Sequence, residues 1–385
     1  MLGDLGAEVI KIEHPVRGDD TRAWGPPYAP YKPESGHEGP GESAYYLGVN
    51  RNKKSLALSF SSPSGIRVLH RLAQKCDVLV ENYLPNSLSK YHLDYPSLSA
   101  LNPDLIYASI TGYGQTGPYS SRAGYDVMVE AEFGLMHITG ERDGLPVKVG
   151  VAVTDLTTGL YASNAIMAAL LGRETRRRVR REGGAGGEEA LGQWLDLSLS
   201  DCQTATLANI ASSCLVSGNP DTGRWGTAHH TSILLGGGND RLFHILADCV
   251  SLPQLKSHPD YLTNALRVRH RDELESAISS ATRTKTTAEW LGVFEGKGMP
   301  YAAVNDVQTA LRHPHTRARN MVVEAEHGAC GKLELVNTPM KFSNADVGLR
   351  SPPPTLGEHT DEVLAGLLGM QDGEIQELRK EGAVR

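Results

Sequence analysis

The sequence of 385 residues has few cysteines, and they are scattered along it. The five thiols, none of them in a C-x-x-C pair, are Cys76, Cys202, Cys214, Cys249 and Cys330. Such spacing is typical of free thiols that fill a core in a reducing compartment. The histidines form no H-E-x-x-H string and no cluster with cysteine, so we expect no metal site.

The sequence also lacks a long hydrophobic run and an excess of positive charge. No 18 consecutive residues are free of polar interruption, so we expect no transmembrane helix. The net charge of −7 provides no electrostatic attraction for nucleic acid or an anionic membrane, and we expect neither as a partner. The string GYGQTG (112–117) opens no helix, which argues against a dinucleotide-binding fingerprint.

Strand-like and helix-like segments alternate along the first half of the chain. Runs rich in β-branched and apolar residues predict strands at 7–13, 55–60, 77–81, 104–110 and 194–200. Helical patterns at 63–75 and 156–171 lie between them. This alternation predicts parallel βαβ units, and therefore an α/β fold with a doubly wound, mostly parallel, Rossmann-like large domain.

The pattern changes in the second half, where short helices at 271–282 and 285–297 dominate. The change predicts three parts. They are a large domain over 1–205, a smaller α+β domain over 225–315, and a return to the large domain over 320–385. Strands are expected in the last part at 320–326 and 332–336, and helices at 359–369 and 372–381. The charged, glycine-rich segment 172–193 predicts a solvated insertion, with a nuclear signal as the alternative.

Asp155 is the most informative candidate for a reactive group. It follows a run of glycine and small apolar residues and stands just before the predicted helix 156–171. The unpaired N–H groups and positive dipole end of a helix favour negative charge. We therefore expect Asp155 to be ionised at neutral pH, which suits a nucleophile. The structural alternative is that Asp155 only caps the helix.

Several strings, taken together, resemble the class III coenzyme A transferases, the superfamily of the formyl-CoA and carnitine-CoA transferases. The strings are LGDLGAEVIKIEHPVRGDDTR (2–22), NRNKKSLAL (50–58), DVLVENYLP (77–85), ASITGYGQTGP (108–118), GYDVMVEAEFG (124–134), VGVAVTDLTTGL (149–160), GMPYAAVNDV (298–307) and TLGEHTDEVLAGLLG (355–369). They follow the family's order and span nearly the whole chain. Within the family they are most similar to the succinate–dicarboxylate branch. The resemblance implies transfer of CoA from an acyl-CoA donor, succinyl-CoA, to a dicarboxylate such as glutarate, with CoA thioesters as substrates and no other cofactor.

The resemblance also implies roles for individual residues. Asp155 matches the catalytic aspartate, which forms a mixed anhydride with the donor acyl group and then an aspartyl-CoA thioester. The positions that match the CoA cradle are His14, Leu58, Ser59, Phe60, Ser61, Asn82, Tyr83, Leu84, Lys90 and Tyr125. Further candidates for the CoA phosphates are Arg22, Arg51 and Lys53. The structural alternatives are strand core for Leu58 and Phe60, and a solvated helix position for Lys90.

Two other interpretations remain open. The α-methylacyl-CoA racemases of the same superfamily use a G-H-D string, whereas this chain has GYD. Tyrosine, with an ordinary pKa of ~10, is a poor base near neutrality. The other interpretation is an inactive, truncated CoA-binding form. The family's first strand would precede Met1, and the family has a longer segment where Ser232–Leu235 leads into Gly236–Gly238.

The resemblance finally implies an assembly and a location. The family forms interlocked homodimers in which two ring-like chains pass through one another, so we expect a homodimer that binds acyl-CoA and small carboxylic acids. A mitochondrial location is favoured, although no presequence is visible in the chain.

Overall fold

The computed structural model describes residues 1–182, 191–221, 223–224, 233–237 and 239–385. The chain divides into two compact units. The larger consists of Met1–Met136, Lys148–Asp221 and Arg317–Arg385, and the smaller of His137–Val147 and Thr222–Thr316. The expected α/β fold with parallel strands is confirmed. The doubly wound, Rossmann-like arrangement stays a prediction.

The strands of the described residues are short. They are β1 (Val9–Glu13), β2 (Tyr28–Ala29), β3 (Glu42–Ser43), β4 (Lys53–Ala57), β5 (Val78–Glu81), β6 (Ile106–Thr111), β7 (Gln193–Ser198), β8 (Ile233–Leu235), β9 (Tyr301–Ala303), β10 (Val322–His327) and β11 (Gly331–Val336). Two hydrogen-bonded sets are parallel, β1–β4 and β5–β6–β7. Parallel strands within a set end at the same edge, where α/β proteins place their ligands.

The α-helices range from three to 29 residues in length. They are α1 (Ala44–Val49), α2 (Pro63–Lys75), α3 (Tyr95–Leu101), α4 (Asp126–Glu132), α5 (Leu135–Ile138), α6 (Val153–Arg181), α7 (Leu199–Thr206), α8 (Ala208–Ser217), α9 (Asp240–Cys249), α10 (Asn264–Arg269), α11 (Arg271–Thr282), α12 (Thr287–Phe294), α13 (Val307–Arg312), α14 (Pro314–Ala318), α15 (Thr360–Glu362) and α16 (Asp372–Lys380). A π-helical turn, Val363–Leu367, follows α15. None of the helices in the described ranges is long and apolar enough to cross a membrane.

Helix α6 corrects the expectation of a solvated insertion at 172–193, because it continues to Arg181. Arg173 is buried, and its guanidinium donates to the Asp77 side chain at 2.6 Å and to the Asp104 carbonyl at 2.9 Å. Arg177 donates to the Asp104 carboxylate at 2.5 Å. Two of the basic residues are therefore fixed to the loops before β5 and β6. Residues 183–190 lie outside the described residues.

The core of the larger unit under β4 combines residues from both ends of the sequence. It includes Leu56, Leu58, Val68 and Leu72 from the first part of the chain. Its other members are Val363, Leu364, Leu368, Met370, Ile375, Leu378, Ala383 and Val384. The backbone N–H of Ser59 donates to the carbonyl of Ala383 at 2.8 Å, so the chain after β4 is held by the C-terminal residues.

The smaller unit has its own core, formed by helices around the antiparallel pair β8–β9. Trp290, Phe243 and Phe294 are almost fully buried in it. Gly236 follows β8, and its N–H donates to the carbonyl of Pro300 at 2.9 Å. The predicted glycine turn cannot be followed further, because residue 238 and the preceding segment 225–232 lie outside the described residues.

Candidate active site

Asp155 lies in the first turn of α6, as the sequence predicted. The chain enters this helix from the glycine-containing segment 149–152, and the N-cap residue is Ala152. The carboxylate of Asp155 is open to solvent, and no hydrogen bond or ion pair from the described part of the chain reaches it. Asp155 is therefore a free carboxylate on a rigid element, as a nucleophile requires.

The start of α6 is capped by another acid, Asp126, the first residue of α4. Its Oδ1 accepts the backbone N–H of Thr154 at 2.8 Å and that of Asp155 at 3.0 Å. The alternative in which Asp155 itself caps the helix is therefore wrong. Because Asp126 occupies these two donors, they are not available to stabilise an oxyanion on a substrate.

The pKa of Asp155 moves in the direction opposite to the one expected from the helix dipole. Reduced hydration of the carboxyl group, together with the negative charge of Asp126, raises its pKa to about 6. These two effects outweigh the helix N-terminus, whose first donors are already occupied by Asp126. A pKa of about 6 leaves most of the group ionised at pH 7.

Glu130, on the next turn of α4, is fully buried beside this cluster. Its Oε2 accepts the backbone N–H of Val149 at 3.1 Å, which ties the segment before α6 to α4. Burial raises the pKa of Glu130, the hydrogen bond from Val149 opposes this rise, and the nearby charge of Asp126 adds to it. Asp126 and Glu130 were not among the residues selected from the sequence.

Tyr125 directly precedes Asp126 and is 73% exposed. Its position depends on a close backbone approach between Gly112, just after β6, and Gly124. A Cβ atom on Gly112 would lie 2.8 Å from the Cα of Gly124, and one on Gly124 would lie 3.0 Å from the Cα of Gly112. Only glycine fits at both positions, which explains the glycines of the strings TGYG and GYD.

Three of the segments predicted to bind CoA meet at an aromatic cluster after β4 and β5. The ring of Phe60 contacts Tyr83 edge-on at 5.9 Å between centroids and Tyr91 at 5.3 Å. The Nζ of Lys90 lies 4.7 Å from the centre of the Tyr91 ring. The partly exposed aromatic faces and this exposed cation suit a ligand with an adenine ring and phosphates.

The neighbouring predicted residues surround this cluster in different ways. Asn82 and Leu84 are exposed, and Leu84 lines a cavity of about 160 Å³ with Gln115 and Trp194 among its walls. Leu58 is fully buried in the core, as the structural alternative predicted. Ser61 is exposed, and its N–H donates to Ser59 Oγ at 3.3 Å.

His14 occupies an exposed turn after β1. Its Nδ1 accepts the backbone N–H groups of Val16 at 3.2 Å and Arg17 at 3.3 Å, so a ligand contact from this ring would use Nε2. Arg17 was missed by the sequence analysis. Arg17 is exposed. Burial of Tyr83 raises the pKa of its hydroxyl group, and the positive charge of Arg17 partly offsets this rise. Arg17 therefore lies near the aromatic cluster and is a further candidate for a phosphate contact.

Gly65, in the first turn of α2, lets that helix pack against the backbone of Ser59. A Cβ atom at position 65 would lie 1.8 Å from the Ser59 carbonyl oxygen. We expect Gly65→Ala to lower the free energy of unfolding by about 1–3 kcal/mol through overpacking. We also expect weaker CoA binding, because the segment 58–61 must shift. Urea unfolding and calorimetric titration with CoA measure the two effects.

The matched control for this substitution is Gly373→Ala in α16, where an added Cβ has no neighbour within 4 Å. Its CoA affinity should match wild type, and its stability should be equal or slightly higher, because alanine favours a helix more than glycine does. If Gly65→Ala and Gly373→Ala had the same free energy of unfolding and the same affinity for CoA, the steric explanation for Gly65 would be wrong.

Arg22 differs from the other predicted residues because it is engaged inside the protein. Its guanidinium donates to both oxygens of Glu13 at 2.8 and 2.9 Å, to Glu42 at 3.1 Å and to the Tyr46 hydroxyl at 2.6 Å. It also lies 3.8 Å from the centre of the Tyr46 ring. A cavity of about 410 Å³ adjoins Arg22, and Asp155 is not among its walls. This geometry assigns Arg22 to holding the fold.

The other two phosphate candidates are similarly occupied. Arg51 donates two hydrogen bonds to the Asp4 carboxylate, at 3.0 and 2.7 Å, and one to a backbone carbonyl. Lys53 donates to Asn50 at 3.0 Å, and burial together with the charge of Lys11 lowers its pKa to about 8. Both side chains are thus already engaged by groups of the protein itself.

Comparison with known proteins places these features in a family. The profile of CoA-transferase family III matches residues 1–360. Succinyl-CoA:glutarate CoA-transferase of Homo sapiens is 41% identical, and the alignment covers 100% of this chain and 85% of the relative. Succinate–glutarate CoA-transferase of Agrobacterium fabrum is 39% identical over 95% of this chain and 90% of the relative.

A solved structure gives the same result for the fold. The crystal structure of a CAIB/BAIF family protein from Brucella suis superposes with a TM-score of 0.80 and 37% identity. It covers 95% of this chain and 93% of that one. A mixed α/β fold is thus shared with a known relative. The chain belongs to CoA-transferase family III, and it is a class III CoA-transferase, as the resemblance implied.

Proposed function

We propose that this enzyme transfers CoA from succinyl-CoA to a dicarboxylic acid such as glutarate, with Asp155 as the covalent nucleophile. The observation that supports the nucleophile is the free, solvent-open carboxylate of Asp155 on the first turn of α6. The choice of acids follows the names of the human and Agrobacterium relatives.

The transfer proceeds through two covalent states of Asp155. A carboxylate oxygen attacks the thioester carbonyl of succinyl-CoA, which forms a succinyl–aspartyl anhydride and releases the CoA thiolate. The thiolate attacks the aspartyl carbonyl, which leaves an aspartyl-CoA thioester and frees succinate. The acceptor carboxylate then attacks the aspartyl-CoA thioester, which forms an acceptor–aspartyl anhydride and releases the CoA thiolate. The thiolate attacks the acceptor carbonyl of this anhydride and gives the new acyl-CoA and the free aspartate. Covalent catalysis divides one difficult exchange into easier steps.

The electrostatic surroundings of Asp155 suit this role. The pKa of about 6 makes the carboxylate more basic than an ordinary aspartate, while most of it remains ionised at pH 7. A more basic oxygen attacks a thioester carbonyl more readily. Water must be excluded during turnover, because the anhydride and the thioester both hydrolyse.

Residues at the carboxyl ends of β1, β4 and β5 form the proposed CoA cradle. Phe60 and Tyr83 offer aromatic faces to the adenine, and Lys90 and Arg17 offer positive charge to the phosphates. Binding energy from this remote part of CoA can lower the barrier at the thioester.

The test is to incubate the purified protein with succinyl-CoA and a panel of dicarboxylates and to follow acyl-CoA species by mass spectrometry. We expect a new acyl-CoA that depends on the acceptor, with glutaryl-CoA among the fastest to appear. Exchange of the α-proton of a branched acyl-CoA in D₂O without CoA transfer would instead establish the racemase. Binding of CoA without turnover of any acyl-CoA would establish the inactive form.

We also propose that the protein forms an interlocked homodimer. The same proposal includes a doubly wound arrangement of the larger unit and a mitochondrial location. Apolar side chains exposed on α6 and α8 support the homodimer, since large exposed apolar patches mark interaction surfaces. The most exposed of them are Leu156, Leu160, Leu171, Leu215 and Val216. Sedimentation of the purified protein checks the assembly.

A further inference from the structure

The hydroxyl group of Thr154 ties the first turn of α6 to helix α7. Thr154 directly precedes Asp155, and its Oγ1 donates a hydrogen bond to Oε1 of Gln203 at 2.5 Å. Both side chains are almost fully buried. Because neither group is open to solvent, the removal of one partner leaves the other without its hydrogen bond.

The other threonines of α6 use their hydroxyl groups differently. Those of Thr157, Thr158 and Thr175 each donate to a carbonyl one turn earlier in the same helix, which is a common arrangement for threonine inside a helix. For Thr154 the residue four positions earlier is Gly150, which lies before the helix begins. The Thr154 hydroxyl is therefore free to bind a neighbouring element, and it binds Gln203.

Helix α7, which carries Gln203, is itself fixed at its start. It begins directly after Ser198, the last residue of β7. The backbone N–H of Ser200 donates to the carbonyl of Gly112, just after β6, at 3.1 Å. Gln203 lies one turn further along this helix. Thr154 is therefore bound to a side chain whose backbone is anchored to the ends of two strands.

The two helices beside α6 hold different groups of its first turn. Asp126 of α4 accepts the backbone N–H groups of Thr154 and Asp155. Both of these bonds end on the same oxygen atom, so they hold the helix end at a single point. The bond from the Thr154 side chain to Gln203 adds a second attachment, to a different helix. Two attachments restrict the first turn more than one does.

The orientation of Thr154 determines that of its neighbour, because successive residues of an α-helix point about 100° apart. With Thr154 turned towards α7, Asp155 is turned to solvent. We propose that Gln203 is a positioning residue for CoA transfer: through Thr154, it sets the direction in which the Asp155 carboxylate meets the thioester. This inference rests on the proposed function, in which Asp155 is the nucleophile.

The experiment is a double-mutant cycle on the full-length protein, with Thr154→Val, Gln203→Met and the double variant. Each substitution keeps the approximate size of the side chain and removes its hydrogen-bonding group. The assay uses succinyl-CoA and the best acceptor at pH 8, where Asp155 is ionised.

We expect each single variant to lower kcat about 10-fold and to keep the KM for succinyl-CoA within about twofold, because the carboxylate is misaligned while the CoA cradle is unchanged. The double variant should also lose about 10-fold, rather than about 100-fold, because both single changes break the same hydrogen bond.

Two further variants separate positioning from a loss of stability. Thr154→Ser keeps the hydroxyl group and should have a kcat within about threefold of wild type. Thr175→Val removes a hydroxyl group that donates to Leu171 of the same helix, and its kcat should match wild type. Thermal unfolding is measured in parallel, because a merely structural role would lower Tm and leave the kcat of the folded enzyme unchanged.

Three results would overturn the role of Gln203. They are a wild-type kcat in Thr154→Val or Gln203→Met, a double variant whose loss is the product of the two single losses, and a Thr154→Ser variant as impaired as Thr154→Val. If Gln203→Met does not fold, the comparison of Thr154→Val with Thr154→Ser still decides.

Asp155→Ala in the same assay separates this inference from the proposed function. Activity of Asp155→Ala would refute the proposed function. An inactive Asp155→Ala beside fully active Thr154→Val and Gln203→Met refutes only the inference about Gln203.

Discussion

Asp155→Asn is expected to lower the rate of CoA transfer by at least about 10³-fold, because an amide cannot form the anhydride. The same variant should be slightly more stable than the wild type. Partial desolvation and the charge of Asp126 both disfavour the ionised carboxylate, and the substitution removes its charge while keeping its shape. Mass spectrometry of the acyl-CoA products and thermal unfolding measure the two effects.

The gain in stability should depend on pH in a defined direction. Because the folded-state pKa of Asp155, about 6, lies above its usual value of 3.8, the folded protein binds this proton more tightly than the unfolded chain. The wild type therefore loses stability as the pH rises from about 4 to 6 and stays penalised above that range. The Tm difference between Asp155→Asn and wild type should be about 1–4 °C at pH 8 and should vanish near pH 4.

Asp201→Asn provides the matched control, because Asp201 is also an exposed aspartate in the first turn of a helix, α7. It should transfer CoA as the wild type does and show no increase in Tm at pH 8. Substantial turnover by Asp155→Asn would contradict covalent catalysis at this residue. A Tm difference independent of pH would contradict the account of its charge.

Arg22→Ala is expected to be the most destabilising of the substitutions considered. Glu13 and Glu42 are both buried, and loss of the guanidinium leaves two carboxylates unpaired. Breaking a buried ion pair by removing one partner costs about 3–5 kcal/mol, a large part of the stability of a typical domain. Urea unfolding at pH 7 measures this loss, and Arg67→Ala on the exposed face of α2 is the control.

The pKa of Glu13 gives this prediction a second test. Burial alone would raise it, but the Arg22 guanidinium and the Ser55 hydroxyl hold the pKa of Glu13 below its usual value. The wild type should therefore lose this stabilisation as the pH falls through the folded-state pKa, and Arg22→Ala should not. If instead Arg22→Ala unfolds like the wild type but binds CoA weakly, Arg22 contacts a phosphate and the structural account is wrong.

Local patterns in the sequence were sufficient to locate most strands and the head of helix α6. The helix predicted at 63–75 is α2 without change of bounds, and the strand predicted at 77–81 is β5 to within one residue. Asp155 could be found because small residues, a single acid and an apolar helix follow one another directly. These features depend on neighbours in the sequence, which makes them readable from it.

The contacts that set the chemistry of the site depend on distant parts of the chain and could not be predicted. Asp126 and Glu130 stand in the string DVMVEAE, whose acids look like an exposed helix face. Only the packing of α4 against α6 and α7 buries Glu130 and turns Asp126 towards the α6 backbone. The ion pairs of Arg22 could not be predicted either, because its partners Glu13 and Glu42 lie 9 and 20 residues away in the sequence.

The core beneath β4 has a consequence for synthesis in the cell. Leu56, Leu58, Val68 and Leu72 leave the ribosome well before the residues that cover them, Val363 to Val384. At a translation rate of about 5–20 residues per second, this delay is on the order of 15 to 60 s. The core beneath β4 can therefore not be completed before Val363 to Val384 have been made. Its apolar residues must be shielded in the interval, which makes the nascent chain a natural client for a chaperone.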